Sequence, residues 1–263
     1  MFSKFIYDGV YSDYYDIICA HTSKEDIHTR MSVAETSLST NNSSRVSGFD
    51  IITQNYSSPI VFQLQVFKNN FSEFTPLEER KLVKWLVKNG KYKKFQIDNE
   101  YYEEFFWYAN ISNPQNIYIN GKSGMEFTVT FKYPYAYQKN IIRNRTVTST
   151  TKNITIPVDT DDDSYVYPIV SITMLEPGNL TIENSTEVNH KKCIINDLLL
   201  NEQIIMDCSL PLISSNKKDV DIVMGSFNKN WIRLTDGNNI LTFSHNCNVS
   251  FEYRQPRKVG ISF

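Results

Sequence analysis

Residues Thr75 to Ile97, TPLEERKLVKWLVKNGKYKKFQI, carry the one clear helical signature in a chain whose other apolar segments alternate like strands. Many short strands with turn signals and almost no helix mean a sandwich or barrel. The helix itself is well specified. Thr75 can cap its N-terminus, Pro76 suits the first helical position, and Glu78 completes a capping box with Thr75. Glu78 and Glu79 lie at the positive end of the helix dipole and Lys88 at the negative end, with Gly90 as the stop, so the spacing predicts a helix over about 76–89. Leu82, Trp85, Leu86 and Asn89 recur at helical spacing, and Val83 and Val87 widen the stripe, so this face should lie on a sheet. Lys81, Lys84, Lys88, Lys91, Lys93 and Lys94 read as a solvated outer surface, since no aromatic interleaving or nucleic-acid motif accompanies them.

Strand signals surround the helix. From Met125 to Tyr133 every second residue is apolar, the pattern of a half-buried strand, and Ile60 to Phe67 reads as a strand covered on both faces. The opening FIYDGVYSDYYDI reads as a strand, a turn at Asp8-Gly9 and a second extended piece. Thr36 to Gly48 is rich in Ser and Asn and lacks an apolar period, which marks a long loop or mobile arm. From Asn140 to Ser164 the chain is polar and dense in Thr and Asp, the composition of an acidic linker. Strands then resume. Ile169–Leu175 and Leu180–Ile182 flank the turn Glu176-Pro177-Gly178-Asn179, and Gln203–Asp207 follows. A hairpin is expected between Trp231–Leu234 and Ile240–Phe243 across Asp236-Gly237-Asn238-Asn239, and Val249–Arg254 alternates again. The expected fold is mainly β, with two β-sandwich domains: residues 1–150 with the single helix, a linker over 151–164, and residues 165–263 without a helix.

Composition narrows the function. The chain has 263 residues and a formal net charge of −2, so nothing pulls it globally toward nucleic acid or anionic membrane. The N-terminal residues lack the apolar run of a signal peptide and no stretch is long enough to span a bilayer, so a soluble protein made in a cytoplasm is expected. Cys19, Cys193, Cys208 and Cys247 lie far apart without a C-x-x-C pair, so four free, buried thiols are expected. Sequons such as Asn110-Ile-Ser112 and Asn153-Ile-Thr155 only reflect an Asn- and Ser/Thr-rich composition, and nine glycines argue against phosphate loops.

The residues that carry chemistry form no recognisable constellation. His21 lies two residues from Cys19, His190 three from Cys193 and His245 two from Cys247, but these lack the paired spacing of zinc ribbons or fingers; His28 stands apart. Asp159, Asp161 and Asp163 match the start of a calcium loop, yet Ser164 stands where that loop needs Gly and Val170 where it needs a bidentate Glu. Glu103 and Glu104, in the aromatic run EYYEEFFWYAN, read as surface carboxylates. No nucleophile elbow, phosphate loop, zincin motif or dinucleotide fingerprint occurs. Accordingly no catalytic, cofactor-binding or metal-ligating residue is assigned, no cofactor is expected, and the chain reads as a non-enzyme. The aromatic residues are unevenly spread: residues 1–150 hold 27 of the 35 Phe, Tyr and Trp. Tyr and Trp favour interfaces, so the first domain is expected to be the one that touches neighbours.

In order and content these parts resemble the distal tail proteins of bacteriophages with long, non-contractile tails and of related prophages. The resemblance is carried by FIYDGVYSDYYDI, SSPIVFQLQVF (Ser57–Phe67), the helix segment and GMEFTVTFKYPYAY in the first half. In the second half it is carried by YPIVSITMLEPGNLTIEN (Tyr167–Asn184), LLLNEQIIMDC (Leu198–Cys208) and WIRLTDGNNILTF (Trp231–Phe243). Leu234–Asn239 and the Glu202–Asp207 strand are the most telling. Two departures are local: Asn201 stands where a glycine commonly precedes the glutamate, and Thr36–Ser47 is unusually rich in Ser and Asn. The resemblance implies an N-terminal β-domain with one helix and an extended β-hairpin arm, closing into a homo-hexameric ring, and an outward galectin-like C-terminal sandwich. Such a ring joins the tail tube protein to the tail-tip hub protein and to receptor-binding proteins, with DNA only as passing cargo and no membrane. It implies a place at the tail tip of the virion, after assembly in the bacterial host's cytoplasm. The alternatives are a carbohydrate-binding module or adhesion component, for which Trp231, Phe251 and Tyr253 are the aromatic candidates in the second domain, and a tail-tube subunit.

Overall fold

The computed structural model describes residues 4–19, 36–42 and 49–260. The chain divides into two units, residues 1–137 with 258–263, and residues 138–257. The second unit is therefore an insertion near the C-terminal end of the first. This differs from the expected boundaries at 150 and 165. Residues 141–158, read as the approach to and start of a linker, are two strands of the second unit.

In the first unit the strands are β1 (Phe5–Tyr7), β2 (Val10–Tyr11), β3 (Ile17–Cys19), β4 (Thr36–Asn42), β5 (Phe49–Tyr56) and β6 (Val61–Lys68). The helix α1 (Pro76–Leu86) follows, then β7 (Lys93–Ile97), β8 (Phe105–Ile119), β9 (Lys122–Phe131) and β10 (Ala136–Gln138). The main sheet runs β2-β1-β7-β8-β9-β6-β3, with β10 beside β8. Phe62 on β6 and Phe95 on β7 have ring centroids 6.4 Å apart although β8 and β9 separate their strands. Three strand spacings along a flat sheet would be about 14 Å. The sheet therefore folds over, and its inner face encloses one aromatic core of Phe5, Tyr7, Phe62, Phe95, Trp107, Phe127 and Phe131. Its two ends, β2 and β3, are joined by a short 3₁₀ turn over Ser12–Tyr15.

The capping box of α1 forms as the sequence dictates: Glu78 N–H donates to the Thr75 hydroxyl, and the Glu78 carboxylate accepts from Thr75 N–H at 2.7 Å. The helix stops at Leu86, three residues before the expected end at Asn89. Val87 is extended and bridges to Ile111 on β8, so strand pairing captures the chain before Gly90 can cap it. Asn89 and Gly90 instead form a left-handed turn, with φ of 46° and 76°. Leu82, Trp85 and Leu86 are buried as expected, and Lys84 is exposed. Among the described residues β4 and β5 pair only with each other, as a two-stranded antiparallel arm, so the segment expected as a loop or arm is strand over Thr36–Asn42. The end of that segment, residues 43–48, lies outside the described residues, as do His21 and His28.

The second unit is a sandwich. Its strands are β11 (Ile141–Val147), β12 (Asn153–Val158), β13 (Ile169–Met174), β14 (Gly178–Asn184), β15 (Lys192–Leu198), β16 (Gln203–Asp207), β17 (Leu212–Ser215), β18 (Gly237–Phe243) and β19 (Cys247–Tyr253). One antiparallel sheet runs β11-β19-β13-β16-β17 and the other β12-β18-β14-β15. Inward residues of both, among them Val170, Ile172, Leu180, Ile182, Leu241 and Phe251, share one core. β13 and β14 lie in different sheets, so the Glu176–Asn179 turn is a corner between layers. The Glu176 carboxylate fixes that corner by accepting from Asn246 N–H at 2.7 Å.

Two further expectations are corrected here. Residues 231–234 do not pair with β18; Leu234 instead exchanges backbone hydrogen bonds with Val166, while β18 pairs with β12 and β14. The cause is Asn239, fully buried, which accepts from Thr235 N–H at 2.9 Å and donates to the Thr235 carbonyl at 2.7 Å. These bonds close residues 235–239 into their own loop. The second unit also has a helix, α2 (Val220–Ser226), packed against β15 and β17 through the buried Val223.

Candidate docking surfaces

Among the described residues no three His, Cys, Asp or Glu side chains come together as a metal site. Cys193, Cys208 and Cys247 are buried free thiols, and Cys19 is a half-buried one. Burial pushes the Cys208 and Cys247 thiols up to about 12. Asp159 and Asp161 do not form a cation loop; they hold Arg257 at 2.7 and 3.3 Å, and the guanidinium in turn keeps the Asp159 carboxyl below its ordinary range. Arg257 also donates to Gln138 at 3.1 Å, beside the Gln138 N–H to Gln255 carbonyl bond of 3.0 Å. The two places where the chain passes between units are thus laced together on the second unit's side.

Part of the aromatic excess of the first unit serves its core. Phe5, Tyr7, Phe95, Trp107, Phe127 and Phe131 are all within 2% of full burial. Sequence position alone did not separate these from the aromatics that stay outside: Tyr11, Tyr14, Tyr101 and Tyr118 are exposed, Tyr14 at 80% and Tyr101 at 78%. In the second unit Phe251 and Tyr253 are buried, and Trp231 packs edge-on against Phe227 at 4.9 Å. The three aromatics considered for stacking on a sugar are therefore committed to the core. A shallow polar hollow of about 370 Å³ does lie on the outer face of the five-stranded sheet, lined by Asn144, Thr146, Ser171, Thr173, Gln203 and Ser250 among others.

A deeper concavity belongs to the first unit. It is a groove of about 680 Å³ between α1 and the Ser12–Tyr15 turn. Its floor is apolar: Tyr15 stacks on Trp85 at 4.5 Å, and Val10, Phe74 and Leu82 complete it. Trp85 is fixed from behind by its indole N–H, which donates to the Tyr7 carbonyl at 3.1 Å, and by Phe5 stacked at 5.5 Å. The rim carries Lys68, Lys81, Lys84 and Lys88 against Asp16 and Glu78. Lys68 is spent on Glu78 at 2.7 Å and, with the Thr75 bonds, pulls the Glu78 carboxyl down to about 2. Lys88 lies 3.6 Å from Asp8, and Asp16 accepts from Asn69 at 2.6 Å. Lys81 and Lys84 have no ion-pair partner among the described residues, so the groove presents two unspent positive charges.

A projecting feature stands on the same unit. The short 3₁₀ turn Glu100–Tyr102 is closed by Asn99, whose side chain accepts from Tyr101 N–H at 2.9 Å. Tyr102 points inward, with its ring 6.2 Å from Trp107 and its hydroxyl donating to the Gly260 carbonyl at 3.2 Å. Tyr101 consequently points out. The segment Asp98–Glu104 holds four carboxylates and no basic residue.

Comparison with known proteins places this architecture. A family model described as the phage tail protein N-terminal domain matches residues 1–132, and one described as the phage tail C-terminal domain matches residues 135–253. No curated protein matches the sequence. Among solved structures, the Dit protein of phage SPP1 is similar with a TM-score of 0.69 at 14% identity, covering 97% of this chain and 99% of its own. That protein is described as a paradigm of the hub adsorption apparatus in phages that infect Gram-positive bacteria. A chain of the phage P2 baseplate, in its activated conformation with Ca, matches with a TM-score of 0.54 at 8% identity, over 98% of this chain and 99% of that one. The same baseplate with Sr matches with a TM-score of 0.54 at 8% identity, over 98% of each chain. At these identities the likeness is one of fold. The chain belongs to the phage tail proteins, with both the N-terminal and the C-terminal domain of that family, and it carries the fold of the SPP1 Dit protein.

Proposed function

We propose that the protein is a distal tail protein: a hexameric ring that joins the tail tube to the tail-tip or baseplate proteins and continues the channel through which DNA passes. The observation that carries this reading is the correspondence of fold with SPP1 Dit over nearly the full length of both chains, through both units in the same order. Three features support it. Among the described residues the arm of β4 and β5 pairs with no other strand, which leaves it available to a neighbouring subunit by strand addition. The first unit presents both a groove and a projecting aromatic, the two complementary patches that a cyclic assembly needs. The second unit, galectin-like in this reading, is an insertion that decorates the ring. The role is structural rather than catalytic, its partners are copies of itself, the tube, the tail-tip hub and receptor-binding proteins, and its site is the tail tip of the virion. Among the described residues no helix is long and apolar enough to cross a membrane.

The test is immunogold electron microscopy of the phage particle with antibody against this chain. A single cluster of label where the tube meets the tip is expected. Label along the whole tube would make it a tube subunit, and label confined to peripheral fibres would make it an adhesin.

A further inference from the structure

We infer that the groove beside α1 receives the Asp98–Glu104 segment of a second copy of this chain, with Tyr101 as its anchor. The inference rests on the ring proposed above and names a contact that holds it together. Shape comes first. At about 680 Å³ the groove is large enough for one tyrosine side chain and the backbone on either side of it. Its floor, Tyr15 stacked on Trp85 with Tyr14 exposed at the edge, offers faces and edges against which another aromatic ring packs favourably.

Charge agrees with shape. Lys81 and Lys84 on the rim have no ion-pair partner among the described residues, and on the segment Asp98 and Glu100 have none either. Docking would bring two unspent cations to a segment of four carboxylates, of which Asp98 also feels the Lys4 ammonium of its own chain, around a buried aromatic, the arrangement in which central aromatics carry the affinity and charges set the register. Both partners are held in place beforehand. Tyr102 and Asn99 fix the direction of Tyr101, and the Tyr7 carbonyl, Phe5 and Tyr15 fix Trp85, so little ordering remains to be done on contact. Groove and segment are different patches of one unit, so every copy would use both, which is the condition for a head-to-tail ring.

The experiment compares the full-length chain with four variants by sedimentation velocity over a range of concentrations, with thermal unfolding as the check that each variant is folded. Tyr101→Ala and the double variant Lys81→Glu/Lys84→Glu should each weaken self-association by about ten-fold or more. Asp98→Lys/Glu100→Lys should do the same. Combining Lys81→Glu/Lys84→Glu with Asp98→Lys/Glu100→Lys should restore association, because the charges are exchanged and the ring contact is kept. All four substituted residues and Tyr101 are exposed, so loss of fold is not expected. If the unsubstituted chain associates and these variants associate equally well, the contact is wrong while the ring stands. If only the groove variants lose association, some other segment occupies the groove and the assignment is overturned. An unsubstituted chain that stays monomeric throughout contradicts the contact and the ring together.

Discussion

Replacing Trp85 by alanine tests the packing of α1 on the first unit most severely. Trp85 is 4% exposed; it stacks on Tyr15 and Phe5, meets Tyr7 edge-on at 6.5 Å, and donates to the Tyr7 carbonyl. Truncating a buried Trp costs about 3–5 kcal/mol, most of it lost apolar burial plus the cavity left behind. The abandoned carbonyl adds about 1 kcal/mol. One feature pulls the other way: the groove opens onto Tyr15, which can collapse into part of the vacated space. The expected loss is therefore about 4 kcal/mol, or about 10 °C in the unfolding midpoint of a unit of this size. Trp85→Phe, which keeps a ring but loses the indole donor, should fall between this and the native chain. Lys84→Ala, on the exposed side of the same helix turn, should stay within about 0.5 kcal/mol. Urea titration and calorimetry of the three variants check this. Equal losses from Trp85→Ala and Lys84→Ala would refute the orientation of the helix.

Further outcomes follow from the same structure. The folded-state Glu78 carboxyl lies near 2, below its unfolded value of about 4.3, so its contribution is fully present above the unfolded value and lost as pH falls toward 2. The stability gap between the native chain and Glu78→Gln should accordingly be constant near neutrality and close between about pH 5 and pH 2; a gap unchanged at pH 2 would contradict the cap. Thiol titration should find four thiols in denatured protein with or without prior reduction, and slow reaction of Cys193, Cys208 and Cys247 in the folded chain. A count that rises after reduction would mean a disulfide. Excising residues 138–257 and joining Tyr137 to Lys258 through a short Gly/Ser linker should leave a folded first unit that still associates, because the hydrogen-bonded Gln138 and Gln255 show that the two crossing points lie close together. Failure to associate would assign ring contacts to the second unit.

What the sequence made legible follows from how local each signal is. The helix start was readable because Thr75, Pro76 and Glu78 complete a capping box within four residues. Its end was not, because the competing partner of Val87 is Ile111, far along the chain. β12 alternates cleanly, with Ile154, Ile156 and Val158 inward, but it lies in a Thr- and Asp-rich context that reads as linker. β11 gives even less signal: it is the outer strand of its sheet, and five of its seven residues are exposed. α2 is seven residues long with one fully buried side chain, too short to show a period. Glu202, immediately before β16, gave no hint in the sequence of being fully buried. Burial alone would raise its carboxyl, but bonds from the Ser215 hydroxyl, Leu199 N–H and Lys218 outweigh it and hold the carboxyl below its ordinary range. The groove was hidden for the same reason, since its walls come from residues 10–16, 68–78 and 81–88 and meet only because the sheet folds over. Nor could sequence say that Tyr101 faces out while Tyr102 faces in. That depends on one turn of 3₁₀ backbone.

The central claim, a closed ring, is tested most directly by electron microscopy of the purified full-length chain, with native mass measurement of the same sample. The account predicts top views with six-fold symmetry and a central opening, and a mass six times the 30.6 kDa of the chain. Open filaments, stacked tubes of indefinite length, or a particle with no rotational symmetry would contradict it.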